Sequence, residues 1–392
     1  MAEQQKPVAP AKPVEPPKKM EFRLLGHNYV TPDLVAKVTG KAKYAEDFRA
    51  EGMVFIKLMP SPRPHARILN IDASAALAMP GVHGILTAKD LPVPAPPPGP
   101  PPAARPAAAP AAGAAPAAGA PAAGAPAAGA PAGAAAPAAP PAPPMPQEYA
   151  LTDEPVYEGE PILAIAADSE ELAAEAIDRI VVEFEPLPFV IDPLEGLRPG
   201  SPNGRTQGNV FVGPSMKELK WTAADMAMVD AGKFPSGAEA TETAVFGDIE
   251  KGFAEADLII ERDMYQQTTS HQPLESRSAM AYWQNGKCHV HVSTQSLART
   301  VAAVAGWVGI KPDELVLISE YTGGGFGSKI PGSQSIAIPA LMSKKLNGRP
   351  VMMRISRAEE TYIGRVRPGY QGWIKMGFKK DGRVTAIDTF IV

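Results

Sequence analysis

From Val93 to about Pro146 the chain is almost wholly proline, alanine and glycine, with a recurring Gly-Ala-Pro-Ala-Ala and Arg105 as its only charge. Proline every few residues removes backbone donors and blocks a continuing helix, while glycine loosens what polyproline II stiffness remains. Such a stretch cannot build a packed core, so whatever folds is assembled from the residues on either side of it. Before it, Val54–Met59 and Ala66–Asp72 read as strands, with a short helix, Ala73–Ala78, closed by Pro80-Gly81. After it, Pro161–Ala167 and Ile180–Glu185 read as strands flanking a helix, Ser169–Arg179. The two flanks complete one small α/β unit, so the segment reads as a linker-like insertion inside a domain. The functional alternative is a tether that reaches a partner subunit or covers a substrate entrance.

The 392 residues, 45% of them apolar, suffice for two ordinary cores once the insertion is set aside. Residues 1–20 read as a disordered tail, 21–192 as the first domain with its insert at 93–146, 193–243 as a polar, turn-rich connection, and 244–392 as a second domain. In that second domain a helix at Gly247–Asp257 precedes strands at Leu258–Met264 and Ser278–Trp283, and Asn285-Gly286 signals a hairpin. A helix over Leu297–Val308 leads to a strand at Glu314–Glu320, then a helix at 335–346 and a strand at Val351–Ile355. The last elements form a hairpin, Gly372–Phe378 with Val384–Val392, turned by Lys380-Asp-Gly382.

The net charge of −4 gives no global attraction to nucleic acid or to an anionic membrane. No run of about twenty apolar residues is present, and Met1–Lys19 lacks the hydrophobic segment of a secretory signal. The expected compartment is the cytoplasm, with export on a partner's signal left open. A single cysteine, Cys288, excludes an internal disulfide framework and cannot alone hold an iron–sulfur cluster or structural zinc. In the alternating Gly-Lys-Cys-His-Val-His-Val it reads as a buried, inert thiol; His289 and His291 share one side of that strand.

Two segments point to chemistry. Ser293-Thr294-Gln295 follows one strand, and Glu320-Tyr-Thr-Gly-Gly-Gly-Phe-Gly-Ser-Lys329 follows the next. Successive glycines permit positive φ and close approach, so backbone N–H groups can converge on electronegative ligand atoms. Gln295 can instead cap the following helix, and Phe326 can be ordinary core packing. His271 and Glu275, four residues apart, suggest acid/base work, but read better as structural groups beside the site. Lys329 lacks the Gly-Lys-Ser/Thr setting of a nucleotide loop, so nucleotide hydrolysis is not supported.

At these residues the chain resembles the large molybdenum subunit of the xanthine dehydrogenase and aldehyde oxidase family, which hydroxylates aldehydes and N-heterocycles using molybdopterin. The resemblance runs through Lys37–Asp47, Ser61–Ile68, Pro80–Val82, Thr87–Asp90, Tyr157–Ile162 and His271–Ser276 to the C-terminus. It implies an α+β fold, an a/b hammerhead-like domain followed by the first half of a molybdopterin-binding domain. It further implies that Gln295 hydrogen-bonds an oxygen ligand of molybdenum, that Gly324, Gly325, Phe326 and Gly327 line the cofactor, and that the chain gives the metal no direct ligand. Arg367 falls near a substrate-facing arginine of some members; the neighbouring Arg365 leaves the register open, and an ordinary surface arginine is the alternative. Where purine-oxidising members carry a glutamate after the loop lysine, this chain has Ile330, which disfavours purines.

The glutamate general base of the family, in a Gly-Glu context near the end of a full-length large subunit, has no counterpart here. The resemblance therefore implies a naturally split subunit, with no catalytic residue in this chain and the base on a second molybdopterin-binding partner. It implies [2Fe–2S] clusters and FAD on further subunits, and leaves the mono- or dinucleotide form of the pterin open. Two classes of function follow: a subunit of a molybdenum hydroxylase active only with its partners, or a non-catalytic scaffold that retains the fold.

Overall fold

The computed structural model describes residues 25–26, 28–92, 149–202, 219–240, 242–330 and 332–392. The N-terminal tail and the Pro/Ala/Gly segment lie outside the described residues. The chain divides into two compact units, 1–42 and 43–392. In the first, the helix Leu34–Val38 is the regular element among the described residues.

The second unit carries the strands β1 (Val54–Pro60), β2 (Ala66–Asp72), β3 (Val82–Thr87), β4 (Pro161–Ala167), β5 (Val181–Pro186), β6 (Leu258–Gln266), β7 (Thr269–Ser270) and β8 (Ala279–Gln284). It continues with β9 (Lys287–Val292), β10 (Leu315–Ile318), β11 (Val351–Met353), β12 (Val366–Arg367), β13 (Tyr370–Phe378) and β14 (Val384–Ile391). Seven of these form one sheet in the order β10-β9-β8-β11-β1-β4-β3. β4, an unbroken apolar run, is buried along its whole length, as expected of a strand covered on both faces. Its Ala164 and Ala166 join the core beneath the helices Leu297–Val308 and Ala337–Lys345. Its Leu163, Ile165 and Ala167 join the opposite core, beneath the helices Ser74–Leu77 and Glu170–Ile177 and the β2–β5 pair. Each side is thus filled by alternate residues of the same strand.

β1 pairs in parallel with β11, Val54 opposite Val351. The sheet therefore joins strands on both sides of the expected connection at 193–243, and the two expected domains share a sheet rather than each closing its own. The insertion links β3 to β4, which are antiparallel neighbours. Among the described residues of the expected connection the structure corrects the reading: residues 223–230 are a helix, capped reciprocally by Thr222 and Asp225. The adjoining Trp221 is buried against Phe234 and Phe390, so this segment owns a small core. The burial of Trp221 depends on Phe390 of β14, far along the chain.

The Asn285-Gly286 hairpin forms as read, both residues at positive φ (51° and 73°) between the paired β8 and β9. The C-terminal hairpin is a sheet of order β14-β13-β6. The short β7 and β12 pair Thr269 with Arg367. Among the described residues no helix is long and apolar enough to cross a membrane.

Candidate functional site

β9 and β10 run parallel, so the segments leaving their C-terminal ends emerge side by side. Ser293-Thr294-Gln295 leaves the first and the glycine loop leaves the second. Between them the helix Leu297–Val308 starts at Ser296, without a side-chain cap from Gln295. Backbone and hydroxyl groups bind the two segments together. The Gln295 N–H donates to Lys329 O (3.0 Å), the Thr294 hydroxyl to Lys329 O (3.0 Å), and the Thr322 hydroxyl to Thr294 O (3.0 Å).

The Gln295 side chain lies along the loop. Its Oε1 accepts from the N–H of Gly327 (2.9 Å) and of Lys329 (3.3 Å). Because both partners are donors, the oxygen must face the loop, and the amide Nε2 is left as an outward donor. A Cβ at position 325 would stand 2.4 Å from Gln295 Oε1, so only glycine allows this approach. Gly324 (φ 94°), Phe326 (φ 52°) and Gly327 (φ 103°) all occupy the left-handed region. For a phenylalanine that conformation costs on the order of 1 kcal/mol and persists only when its surroundings impose it. Here the turn is held by the Ser328 N–H and hydroxyl, which both donate to Gly325 O (2.9 and 2.8 Å). Phe326 is displayed rather than packed, with 61% of its surface exposed. The N–H groups of Gly324, Gly325 and Phe326 make no hydrogen bond within the described residues.

Beneath the loop lies a buried charge network. The Lys329 ammonium, 1% exposed, donates to Glu275 O (2.8 Å) and Ser293 Oγ (2.9 Å) and pairs with Glu275 Oε2 (3.2 Å). Glu275 Oε2 also accepts from the Gly323 N–H (2.6 Å), and its Oε1 from the Ala45 N–H (3.2 Å). Burial lowers the Lys329 pKa, an effect that Glu275 opposes. Next to this pair, Glu360 accepts from the Arg277 N–H (3.0 Å) and faces its guanidinium at 3.4 Å. Burial pushes the Glu360 carboxyl up, with Arg277 opposing. Arg277 also donates to Arg365 O (3.1 Å), which ties the network to the strand that carries Arg367.

The residues singled out in the sequence are thus gathered: Gln295, Gly324, Gly325, Phe326 and Gly327 meet in one wall, and Arg367 donates to Phe326 O (2.6 Å). His271 lies at the same wall, its Nδ1 against Arg365 O (3.2 Å) and its Nε2 toward Gly327. Glu275 and Lys329 hold the loop from behind, which is structural work. Sequence reasoning missed Arg277 and Glu360, whose partners lie in other segments, and named Ser293 without its tie to the Lys329 ammonium. Cys288 is buried, and burial pushes its thiol up to about 12. His289 stacks on Tyr282 at 4.7 Å, and His291 packs against Phe48 at 4.1 Å. Among the described residues no group of three His, Cys, Asp or Glu side chains is placed to hold a metal.

An outward amide donor beside three backbone N–H groups without a partner among the described residues fits a cofactor whose oxygen and sulfur atoms carry negative charge. Comparison with known proteins agrees. Residues 39–114 match the aldehyde oxidase and xanthine dehydrogenase a/b hammerhead domain, and residues 234–392 match a molybdopterin cofactor-binding domain. A probable hypoxanthine oxidase of Escherichia coli is 29% identical over 95% of this chain and 36% of its own length. The nicotinate dehydrogenase large molybdopterin subunit of Eubacterium barkeri is 25% identical over 94% of this chain and 69% of its own length. Among solved structures, the aldehyde oxidoreductase from Desulfovibrio gigas superposes with a TM-score of 0.61 at 23% identity, over 92% of this chain and 33% of that one. The chain therefore spans about a third of the length of the hypoxanthine oxidase and aldehyde oxidoreductase relatives.

Proposed function

Because the chain belongs to the xanthine dehydrogenase and aldehyde oxidase family and carries its molybdopterin cofactor-binding domain, we propose that it forms one wall of the molybdenum site in a multi-subunit hydroxylase. The observation that carries this reading is the orientation of Gln295, whose oxygen is consumed by the glycine loop so that its NH₂ projects from the wall. When bound, the molybdenum cofactor supplies a two-electron oxidation in which water provides the oxygen added to the substrate. The chain's own residues bind and orient it. Gln295 Nε2 donates to an oxygen of the cofactor without adding charge, and the N–H groups of Gly324, Gly325 and Phe326 hold negative atoms in a preorganised way. Phe326 presents an apolar face to the reacting groups, and Arg367 fixes its carbonyl.

In this reading residues 21–192 form the hammerhead-like domain and 244–392 the first molybdopterin-binding domain. The substrate is an aldehyde or an N-heterocyclic or aromatic small molecule. Electrons leave through a [2Fe–2S] subunit and an FAD subunit in the cytoplasm. The relative named as a large molybdopterin subunit, covered over 69% of its length, supports a subunit of this kind.

The test is elemental analysis for molybdenum and iron on the complex purified through a tag on this chain, with identification of the co-purifying polypeptides. Near-stoichiometric molybdenum with a second molybdenum-type subunit and an iron–sulfur protein is expected. Gln295→Ala should then lower molybdenum retention or turnover. An intact complex without molybdenum would favour the scaffold, and a Gln295→Ala complex with normal metal content and unchanged activity would remove the role given to Gln295.

A further inference from the structure

The described residues cover one face of the β14-β13-β6 sheet and leave the other open. On the covered face Phe390 of β14 packs against Trp221, and the Lys375 ammonium of β13 sits over the Phe253 ring at 4.9 Å. On the other face the register aligns two apolar rows, Leu258-Phe378-Val384 and Ile260-Met376-Ile387, because directly opposed residues of antiparallel strands share a face. On the two outer strands these side chains are 40–56% exposed. Neither row belongs to an apolar cluster of the described residues. Three strands about 4.8 Å apart and about nine residues long give the face an area of roughly 400 Å². A contiguous apolar patch of that size marks an interaction site, where a solitary exposed leucine would not.

Two further observations define its occupant. β6 and β13 run into the β7–β12 pair within three residues, Gln266 before Thr269 and Tyr370 after Arg367, and Arg367 holds Phe326 O at the cofactor wall (2.6 Å). A polypeptide seated on this face therefore adjoins that wall. The next row, Arg262-Ile374-Thr389, places a single cation on the face. The Arg262 guanidinium donates to Glu261 O (2.7 Å), and among the described residues no carboxylate lies within ion-pair distance of it. The complementary surface is apolar with a carboxylate opposite Arg262. A second copy of this chain brings the same cation and no carboxylate, and the face alone is about half of the roughly 800 Å² per partner that a stable interface buries.

We propose that this open face of the β14-β13-β6 sheet seats the second molybdopterin-binding polypeptide, so that the partner that shares the cofactor is held by an apolar sheet face as well as by the wall. This rests on the molybdenum-site reading above. Contacts at the wall supply the rest of the area that the sheet face lacks.

The tagged full chain is purified as wild type, as Ile260→Glu/Ile387→Glu and as Arg262→Glu, with Leu69→Glu, an exposed leucine on β2, as control. Co-purifying polypeptides and molybdenum are quantified in each complex, and the Tm and oligomeric state of the free chain are measured beside them. The double variant and Arg262→Glu should each hold the second molybdopterin-binding polypeptide about tenfold more weakly, with the Tm of the free chain unchanged. Leu69→Glu should keep the wild-type composition. A photo-crosslinking residue at position 387 should label that polypeptide, a readout that stands even where the double variant folds poorly. Wild-type complex that carries the polypeptide and molybdenum, with both variants retaining it at wild-type affinity and no crosslink formed, overturns the seat and leaves the molybdenum reading intact. A crosslink that returns to this chain, with a lowered Tm of the free double variant, also overturns it, because a segment of this chain then covers the face. A free wild-type dimer that the variants dissolve overturns it in favour of a second copy. Wild-type complex with neither molybdenum nor a second molybdopterin-binding polypeptide sinks the underlying reading, and the seat with it.

Discussion

Replacing Glu275 by glutamine removes one charge and nothing of comparable size, yet should be among the most damaging changes in this chain. Its carboxylate accepts from the Gly323 and Ala45 N–H groups and from the Lys329 ammonium, all in a site where the two side chains are 5% and 1% exposed. An amide offers one acceptor where these donors need two, so its NH₂ must face an N–H or the ammonium. The ammonium is also left without its counter-charge. Breaking a buried pair on one side costs about 3–5 kcal/mol. For a unit of this size, at about 2 cal/mol/K per residue of unfolding entropy, that is a fall of roughly 4–7 °C in Tm. Thermal unfolding followed by tryptophan fluorescence measures it, with Lys329→Met added to complete a double-mutant cycle. Removing the stranded ammonium should return more than half of the loss, because the double variant no longer buries an unpaired charge. A Glu275→Gln protein within 1 °C of wild type, or a double variant whose loss is the sum of the two single ones, would refute the reasoning.

Gly325→Ala places a Cβ 2.4 Å from Gln295 Oε1 and should displace that side chain, lowering molybdenum retention in the purified complex. Gly382→Ala is its control: φ is 86° but the space is open, so it should cost about 1 kcal/mol in stability with metal content unchanged. The pKa of His271 and that of His291 are lowered, in both cases first by burial, so the unfolded chain binds their protons more readily. Their contribution to stability is complete above the ordinary histidine value near 6.5 and is lost as pH falls below it through the folded values. Tm measured from pH 7.5 to 5.5 should fall, and His271→Asn should flatten that limb; an identical slope would count against the assignment. The Cys288 thiol, raised to about 12 by burial, should resist a disulfide reagent at pH 8 until the protein unfolds. Prompt labelling of the native protein would contradict its burial.

Much of the local structure was legible in the residues. Periodicity located Val54–Met59 and Leu297–Val308, Asn285-Gly286 announced its hairpin, and the glycine run with Gln295 marked the wall of the site, because each of these is decided by neighbours in the chain. Whole-chain pairing was not. Parallel pairing of Val54 with Val351 merges two expected domains into one sheet, and no local pattern names a strand's partner across such a separation. Nor does a sequence say which charges will compensate one another. Glu275 and Lys329 neutralise each other only because β9 and β10 deliver the loop over the His271–Glu275 segment, whereas at β12 no carboxylate among the described residues comes within ion-pair distance of Arg365 or Arg367. The sequence by itself determined most of the long elements, the glycine run and the chemistry on offer. Tertiary structure decided which donors are consumed and which are left facing outward, since that depends on groups brought together from distant segments.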